Sequence, residues 1–499
     1  MRIDRHPILT FERGREIEFE FDGRRLRGCE GETIAAALHA AGVRVLRESI
    51  RLGRPRGFFC AIGRCSSCLM TVNGVPNVMT CITPLEEGMR VETQRTKGTV
   101  PDGGHPGGDA PADADGVPIV AWGEAPGESL GDVPLAVVGG GPAGLSAAIA
   151  AGRLGVRSVV IDENQTAGGQ LIKQTHMFFG SREHHARVRG VDIGPKLLSE
   201  LEELPVELML GTTALGLYND LTLSLLVEGR HRRLSPETII VATGASENML
   251  AFENSDLPGV YGAGAVQTLM NVHGVVPGDR VLMVGAGNIG LIVSYQLLQA
   301  GVEVAAVIEG MPEVGGYHVH AAKIRRAGVP ILTSHTIVRA EGETTVTGAK
   351  VVEVDESWRP VDGTERRLDV DTICLAVGLT PNVELAFQAG TREAHVRELG
   401  GRVAVHGPDL ETSIPGLYIA GDASGIEEAS TAMLEGRLAG LAAAKRLGAG
   451  DPAKIDALVS EAAAGLAALR AGPFGRQPRY GKERMFALKN REGTDESQA

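Results

Sequence analysis

A short apolar strand, a glycine-rich turn and a helix built of small or aliphatic residues occur twice in this 499-residue chain, about 146 residues apart. The first copy reads PLAVVGGGPAGLSAAIAAGRLGVRSVVIDE, and the second reads DRVLMVGAGNIGLIVSYQLLQAGVEVAAVIEG. Repetition of this unit predicts two related, doubly wound dinucleotide folds. Apolar runs at 238–244, 372–378 and 416–422 each contain a late glycine, as expected where a strand's carboxyl end meets a ligand crevice.

The glycines of the first copy stand where a phosphate-binding turn requires them. Gly139 permits the turn, Gly141 lets the backbone approach a pyrophosphate, and Gly144 allows the helix to pack closely on the strand. Asp162 ends the next strand, where an acid binds a ribose, and the adjacent Glu163 is an alternative for that role. The pattern favours an FAD-type site over a fold kept only for packing. We expect the same crevice to continue along Gly169, Gln170, Gly421 and Asp422, the last of which suits a hydrogen bond to a ribityl chain.

The second copy repeats this geometry with Gly285, Gly287 and Gly290, and Glu309 closes the following strand. A carboxylate at that position accepts a hydrogen bond from a ribose 2′-hydroxyl and repels a 2′-phosphate, so NAD is favoured over NADP. Gly310 follows where a 2′-phosphate site would need an arginine. The alternative is a decayed module that serves only as a scaffold.

Four cysteines occur close together near the start of the chain. Cys60, Cys65 and Cys68 are spaced C-x4-C-x2-C, and Cys81 follows. This is the plant-type ferredoxin spacing, in which a tight loop supplies three thiolates and a neighbouring segment supplies the fourth to a [2Fe-2S] cluster. A structural zinc site, which usually uses paired C-x2-C knuckles, and buried free thiols are the alternatives.

Other residues around the cysteine loop carry smaller expectations. Gly57 and Gly63 are expected to let the loop curl, and Cys29 and Cys374 are expected to be buried small residues outside the motif. Four arginines flank the loop and either dock an acidic electron-transfer partner or form a solvated face: Arg51, Arg54, Arg56 and Arg64.

The segment that holds the cysteines begins with alternating apolar and charged residues around Ile17, Phe19 and Phe21, then the turn Asp22-Gly23, which predicts a β-hairpin. Thr33 precedes a short apolar helix as its cap. The predicted fold class is α/β, with two nested Rossmann-like domains of the FAD and NAD types preceded by an α+β ferredoxin-like domain.

Changes in composition set the expected domain boundaries. The Gly-, Pro- and Asp-rich stretch without periodicity predicts a linker, and the polar tail is expected to be loosely ordered at its end. The predicted segments are 1–97 for the ferredoxin-like domain, 98–131 for the linker, 132–270 and 371–472 for the FAD domain, 271–370 for the NAD-like domain and 473–499 for the tail.

Charge and hydropathy exclude several classes of protein. The net charge of −13 argues against nucleic acid as the main partner. No stretch approaches the roughly 20 apolar residues of a membrane helix, and the N-terminal segment is charged where a signal peptide is apolar. We therefore expect a soluble, cytoplasmic protein.

The runs RPRGFFCAIGRCSSCLMTVNG, GGGPAGLSAA, IDENQTAGGQ, VATGASEN and LYIAGDASGIEEASTAMLEGRLAGLAAA together resemble the alpha-type subunits of multisubunit amine and imino-acid dehydrogenases. This family includes heterotetrameric sarcosine oxidase, hydrogen cyanide synthase, opine oxidase and D-proline or hydroxyproline dehydrogenase. The resemblance implies a [2Fe-2S] centre on the four clustered cysteines. It also implies FAD contacts at Gly139, Gly141, Gly144, Asp162, Gly169, Gln170, Gly244 and Asp422.

The chain departs from some members of that family. It is too short to hold the folate-dependent domain of sarcosine oxidase alpha, it has no cysteine cluster after Cys374, and its second glycine loop is intact. The fold also resembles thioredoxin reductases, but the only C-x-x-C pair, Cys65 and Cys68, lies inside the cluster motif, which argues against disulfide reduction.

These patterns lead to one function and two rivals. The favoured function is an FAD-dependent electron-transfer subunit of a hetero-oligomer, whose second flavoprotein subunit binds the amine or imino acid. The rivals are a self-sufficient NADH-dependent reductase and an assembly scaffold. No catalytic base is identified, because surface or packing roles are expected for His176, His184 and His185.

Overall fold

The computed structural model describes residues 1–98, 127–178, 185–472 and 474–489. Two compact units divide the chain: the first comprises 1–105 and 247–378, and the second comprises 106–246 and 379–499. The ferredoxin-like segment and the second glycine loop therefore belong to the same unit. Most of the predicted linker, His184 and the end of the predicted tail lie outside the described residues.

The strands and helices follow the α/β pattern that the sequence predicts. In chain order the strands are β1 Glu16–Phe21, β2 Arg24–Cys29, β3 Arg47–Glu48, β4 Pro55–Arg56, β5 Leu69–Val72, β6 Val75–Met79, β7 Arg90–Glu92, β8 Glu128–Val138, β9 Ser158–Ile161, β10 Val206–Met209, β11 Thr212–Leu217, β12 Leu223–Val227, β13 Arg230–Val241, β14 Ala245–Glu247, β15 Val260–Gly262, β16 Arg280–Val284, β17 Glu303–Ile308, β18 Ile331–Leu332, β19 His335–Glu341, β20 Gly348–Glu353, β21 Arg366–Leu368, β22 Thr372–Leu375, β23 Leu379–Pro381, β24 Glu393–Val396, β25 Gly401–Ala404 and β26 Leu417–Ile419. The α-helices are α1 Ile34–Ala40, α2 Pro142–Gly152, α3 Gly190–Leu201, α4 Ala263–Gln267, α5 Asn288–Gln299, α6 His318–Arg326, α7 Glu384–Gln388, α8 Ala429–Arg446, α9 Pro452–Arg470 and α10 Arg476–Lys489.

The ferredoxin-like part of the first unit is a five-stranded sheet in the order β2-β1-β7-β5-β6. Its predicted hairpin is confirmed: β1 and β2 are antiparallel, and Asp22 and Gly23 have φ values of 46° and 77° in the turn. The predicted helix is confirmed as α1, where the Thr33 hydroxyl accepts a hydrogen bond from the Ala36 N–H at 3.3 Å. This sheet and helix hold the segments that carry the four cysteines.

The second part of the first unit is a parallel sheet in the order β15-β22-β16-β17-β18, with an antiparallel sheet β19-β20-β21 beside it. The second glycine loop joins β16 to α5, as predicted. Two of the arginines near the cysteines bind this part of the unit: Arg54 donates to both oxygens of Asp256 at 2.7 and 2.6 Å, and Arg56 also pairs with Asp256. Arg54 and Arg56 thus stabilise packing within the unit. This role differs from both expectations, which were docking of an acidic partner and a solvated face.

Gly57 and Cys29 differ from their predictions. A Cβ atom on Gly57 would lie 2.7 Å from the Arg44 carbonyl oxygen and 2.9 Å from Pro258 Cβ, so this glycine is needed for close packing. The curl of the loop instead involves Gly63, whose φ is 69°. Cys29 is half-buried, because it lies at the end of the edge strand β2, whereas Cys374 is buried in β22 as expected.

The second unit is built on the sheet β10-β9-β8-β13-β12-β11, to which β26 adds by pairing with β13. The strands β10, β9, β8, β13 and β26 are parallel, so their carboxyl ends meet at one edge. Helix α8 packs unusually closely on α2, because a Cβ on Gly436 would lie 1.9 Å from the Ala143 carbonyl oxygen and one on Gly440 would lie 2.2 Å from that of Ala147. This contact fixes α2 beside the late strand β26.

The predicted tail contains the helix α10, in which Lys482 and Met485 are buried. The loose order expected at the end of the tail concerns residues 490–499, which lie outside the described residues.

Within the described parts of the chain, no helix has both the length and the apolar character required to cross a bilayer.

Candidate functional site

The four clustered cysteines converge, as their spacing predicts. The loop from Cys60 to Cys68 joins β4 to β5, and Cys81 follows β6. The thiol of Cys60 is within hydrogen-bonding reach of those of Cys65 and Cys81, and the thiols of Cys68 and Cys81 are in reach of each other. The loop is tightly wound, with Ala61, Gly63 and Ser66 all at positive φ.

The thiols in this pocket shift one another's pKa values. Hydrogen bonds from Cys65 and Cys81 lower the pKa of Cys60, and hydrogen bonds with Cys60 and Cys68 raise the pKa of Cys81 well above its ordinary value. The Thr80 hydroxyl donates to the Cys68 carbonyl at 2.7 Å and so fixes the segment that leads to Cys81. Among the described residues, no three His, Cys, Asp or Glu side chains are grouped as ligands of one metal ion. A binuclear cluster requires two thiolates on each iron, and paired thiols in contact fit that requirement.

The first glycine loop is a preformed cradle at the edge of the second unit's sheet. Gly139 has a φ of 108°, and a Cβ on Gly144 would lie 1.8 Å from the Gly139 carbonyl oxygen. Gly141 is the extended N-cap of α2, and the nearest atom that its Cβ would meet is Gly169 Cα at 3.9 Å. The space beside Gly141 at the N-terminus of α2 is therefore open, which is where such a fold binds a phosphate.

Asp162, the acid predicted for this site, is hydrogen-bonded to the first glycine loop. Its carboxylate accepts a hydrogen bond from the Gly140 N–H at 2.7 Å and another from the Asn164 N–H at 2.8 Å. Asp162 is buried, whereas Glu163 is exposed. The structure thus places Asp162, of the two predicted acids, against the glycine loop. Gln170 is exposed on the short 3-10 helix that follows.

The remaining predicted residues of this site come from the short 3-10 helix after β9 and from the segments that follow β13 and β26. Gly169 reaches the loop, since a Cβ there would lie 2.8 Å from Gly141 Cα. Gly421 has a φ of 69°, and its Cβ would lie 2.8 Å from Ala143 Cβ in the first turn of α2. Asp422 follows Gly421 and is therefore brought next to the loop. Gly244, three residues after β13, accepts a hydrogen bond from the Asn382 N–H at 2.9 Å.

The carboxyl group of Asp422 holds its proton unusually tightly. Burial raises its pKa to about 7, and the nearby carboxylates of Glu435 and Glu427 act in the same direction. The Glu427 N–H donates to Asp422 at 3.2 Å, which offsets part of this effect. The raised pKa therefore favours the protonated carboxyl group, which can both donate and accept a hydrogen bond.

Removing this carboxyl group should change the pH dependence of stability. The folded pKa of Asp422 lies above the unfolded value near 3.8, so ionisation reduces the free energy of unfolding as pH rises from about 4 to 7. We expect Asp422→Asn to raise that free energy at pH 8 by about 1–3 kcal/mol in flavin-free protein, and to leave it unchanged near pH 4. Urea unfolding at several pH values measures this. Asp456→Asn, at an exposed aspartate of α9, controls for loss of a carboxylate, and a gain for Asp422→Asn that is equal at both pH values would contradict the assignment.

A buried ionic network lies beneath Gly421 and Asp422. The Glu435 carboxylate accepts hydrogen bonds from the Lys482 ammonium at 2.8 Å, from Arg470 at 2.6 Å and from the Ser424 hydroxyl at 2.6 Å. It also accepts one from the Gly421 N–H at 3.1 Å. This network was not predicted from the sequence, although a glutamate in the mostly small and apolar stretch TAMLEGRLAG was a usable signal.

The second glycine loop repeats the geometry of the first. Gly285 has a φ of 104°, and a Cβ on Gly290 would lie 2.0 Å from the Gly285 carbonyl oxygen. The Glu309 carboxylate accepts a hydrogen bond from the Ala286 N–H at 2.8 Å, as Asp162 does from Gly140. Gly287 is the extended N-cap of α5, and a Cβ there would meet no atom within 4 Å. This cradle is as complete as the first, so the residues present fit a dinucleotide.

Of the three histidines named from the sequence, the structure describes His176 and His185. His176 stacks on Phe178 with ring centroids 5.6 Å apart. His185 lines a cavity of about 370 Å³ between helices α2, α3, α8 and α9. His184 lies outside the described residues. The surface or packing roles expected for these histidines stay predictions.

Alanine substitutions should show that FAD binding depends on the first cradle and NAD⁺ binding on the second. Gly144→Ala places a methyl group against the Gly139 carbonyl, and the loop must move to admit it. We expect at least tenfold weaker FAD retention with this variant, measured as flavin absorbance per protein. Gly290→Ala should leave the flavin content unchanged and weaken NAD⁺ binding in equilibrium dialysis.

Gly315→Ala and Gly472→Ala are matched controls, because a Cβ at either position meets no atom within 4 Å and neither has a positive φ. Flavin loss in the controls, or full flavin retention in Gly144→Ala, would contradict the role of the first cradle.

Two family models match the chain. The pyridine nucleotide-disulphide oxidoreductase model covers residues 133–436, and the 2Fe-2S iron-sulfur cluster binding domain model covers residues 14–96. All six cysteines fall outside the second unit, at positions 29, 60, 65, 68, 81 and 374.

Several curated proteins are similar to the chain. The sarcosine oxidase alpha subunit of Rhizobium meliloti (strain 1021) is 28% identical in an alignment of 487 positions. The alignment covers 88% of this chain and 46% of that protein. The opine oxidase A protein of the same organism is 31% identical, over 62% of this chain and 71% of that protein. The hydrogen cyanide synthase subunit HcnB of Pseudomonas protegens is 28% identical, over 61% and 69%. The chain spans about half the length of the sarcosine oxidase subunits that it matches.

Solved structures agree on the fold. L-proline dehydrogenase from P. horikoshii superposes with a TM-score of 0.67 at 24% identity, over 92% of this chain and 79% of that chain. Thioredoxin reductase of T. acidophilum superposes with a TM-score of 0.53 at 20% identity, over 63% and 98%. At these identities the likeness establishes the fold alone.

Proposed function

Because the chain belongs to the pyridine nucleotide-disulphide oxidoreductase family, and within it to the group of sarcosine oxidase alpha and opine oxidase A proteins, we propose that it is the electron-transfer subunit of a multisubunit amine or imino-acid dehydrogenase or oxidase. The chain is an FAD-dependent oxidoreductase with a [2Fe-2S] domain. Its substrate, its partner and its electron acceptor are part of the proposal.

One observation carries the proposal: a single chain contains both a thiol cage and a glycine cradle that fit redox groups. We assign the cluster to Cys60, Cys65, Cys68 and Cys81. We assign FAD to the first cradle, with contacts from Gly139, Gly141, Gly144, Asp162, Gly169, Gln170, Gly244, Gly421 and Asp422, and Glu163 at its rim. When bound, FAD accepts an electron pair and releases single electrons, and the cluster carries one electron at a time.

The chain's own residues then bind and orient these groups. The start of α2 presents N–H groups to the pyrophosphate, and Asp162 is placed to accept a hydrogen bond from the ribose. Asp422, whose pKa is raised to about 7 by burial, is suited to hydrogen-bond a ribityl hydroxyl in either direction. Transfer of electrons between held cofactors requires no general base from the protein.

The proposed partner is a second flavoprotein subunit that carries the amine or imino-acid site, so the complex is a hetero-oligomer. Support comes from the relatives, several of which are named as subunits. We place the complex in the cytoplasm, where the six cysteines, all without disulfides in the structure, stay reduced.

Affinity purification of the full chain from its native host tests the proposal. The expected result is co-purification of a second flavoprotein, with amine or imino-acid oxidation by the complex and not by the chain alone. Purified chain that contains FAD and iron, binds no partner and oxidises the substrate at the full rate would overturn it.

A second function, NADH-dependent reduction of the bound flavin, is favoured by the hydrogen bond between Glu309 and Ala286, which reproduces that between Asp162 and Gly140. In this alternative Gly285, Gly287, Gly290 and Glu309 hold NAD. Anaerobic stopped-flow mixing with NADH distinguishes it: rapid loss of flavin absorbance supports the reductase, and an unchanged flavin spectrum at millimolar NADH excludes it.

A further inference from the structure

Trp358 is an exposed aromatic residue in an unusual backbone conformation. Its side chain is 58% exposed and its φ is 62°, a region that bulky residues rarely adopt. The turn that contains it is held by Asp355, whose carboxylate accepts hydrogen bonds from the Ser357 N–H at 2.8 Å and the Arg359 N–H at 3.0 Å. Arg359 also donates to that carboxylate through Nε at 2.9 Å. The indole is therefore presented by a fixed loop.

The indole covers the residue that follows the ribose-binding acid. A Cβ atom on Gly310 would lie 2.4 Å from Cζ3 and 2.5 Å from Cη2 of Trp358. Gly310 has no positive φ, so its backbone conformation does not require glycine. The neighbouring Glu309 holds the second glycine loop through Ala286 and also accepts a hydrogen bond from the Met311 N–H at 3.0 Å. The ring thus lies at the edge of the second cradle, beside its acid.

In a dinucleotide fold this acid marks the adenosine ribose, and a 2′-phosphate needs a cation close to it. Gly310 cannot carry such a cation while Trp358 lies against it. An exposed aromatic face is also a stacking platform for a base. We propose that Trp358 is the adenosine platform of the second cradle: its indole supports the adenine and closes the space that a 2′-phosphate would need, so that NAD is bound in preference to NADP.

This inference rests on the proposed binding of NAD at the second cradle. Isothermal titration of the oxidised holoprotein with NAD⁺, NADP⁺ and ADP tests it without an activity assay. We expect Trp358→Ala to raise the Kd for NAD⁺ and for ADP by the same factor, about tenfold, because stacking acts on the adenosine half. The preference for NAD⁺ over NADP⁺ should fall as well. Trp358→Phe should keep the Kd for NAD⁺ within about threefold of the wild-type value, since it retains an aromatic face.

Tyr295→Ala is the matched control, because Tyr295 is another partly exposed aromatic residue in the same unit, two turns into α5. Trp122→Phe leaves Trp358 as the only tryptophan of the sequence, and NAD⁺ should then quench the remaining tryptophan emission. Flavin and iron contents of every variant should match those of the wild type.

The outcomes distinguish failure of the proposed NAD site from failure of the proposed adenosine platform. Absence of NAD⁺ binding by wild-type protein at millimolar concentration would overturn both the NAD site and the platform. Tight NAD⁺ binding that Trp358→Ala and Tyr295→Ala alter equally little would overturn the platform and leave the NAD site in place. If Trp358→Ala weakens NAD⁺ binding but leaves ADP binding unchanged, the platform is also overturned, because Trp358 would then not act on the adenosine half of NAD⁺.

Discussion

Replacing Cys68 with serine is expected to remove the [2Fe-2S] cluster almost completely while FAD stays bound. Cys68 is only 3% exposed, so water cannot easily take the place of its sulfur as an iron ligand. The thiol that it contacts, Cys81, is itself assigned to the cluster. A serine hydroxyl stays protonated at neutral pH and binds iron far less strongly than a thiolate does. Iron per flavin should fall towards zero, as should the cluster's visible absorbance and the electron paramagnetic resonance signal of the reduced protein.

Cys29→Ser and Cys374→Ser are the controls, because both cysteines lie outside the loop and one of them is fully buried. Both variants should retain wild-type iron. Flavin should be unchanged in all three variants, since the first glycine cradle belongs to the other unit. Wild-type iron in Cys68→Ser, or zinc in place of iron in the wild type, would contradict the assignment of the cluster.

The features that sequence alone predicted are those that a short segment determines. Gly139 and Gly144 are five residues apart and their contact follows from the strand-turn-helix geometry, so the pattern of glycines is sufficient. The cysteine loop is similar, because three of its four thiols lie within nine residues of sequence. The acids that end β9 and β17 were also found, since parallel strands bring the end of the next strand beside the loop.

The features that sequence reasoning missed depend on contacts between distant segments. Arg54 and Asp256 are about 200 residues apart, so neither residue signals the other. Lys482 stands in a polar stretch whose composition is typical of a solvated tail, yet it is buried because Glu435 and Ser424 surround its ammonium group. Trp358 follows no periodic pattern, and only its contact with Gly310 gives it a role.

Glu435→Gln is expected to destabilise the second unit by about 3–5 kcal/mol, because it leaves the buried Lys482 ammonium without its ion-pair partner, whereas Arg470 keeps its pair with Glu427. The lysine and glutamate side chains are each only 2% exposed, so water cannot replace the lost interaction. Glu435 also accepts the Gly421 N–H, and its loss should loosen the strand end that carries Asp422. Urea unfolding followed by circular dichroism and by the flavin fluorescence that appears on FAD release measures both effects.

The pH dependence identifies the charge as the cause. Burial opposes ionisation of Glu435, but Lys482 and Arg470 outweigh it and lower the pKa to about 2. Because the pKa of Glu435 is lower in the folded state, its ionised form contributes stability above the unfolded pKa near 4.5, and this stability is lost as pH falls towards 2. The difference in free energy of unfolding between wild type and Glu435→Gln should therefore narrow over that pH range. Arg437→Ala removes an exposed pair with Glu461 from the same helix and should cost less than about 1 kcal/mol at every pH. An unfolding midpoint for Glu435→Gln equal to that of Arg437→Ala would mean that the network does not stabilise the fold.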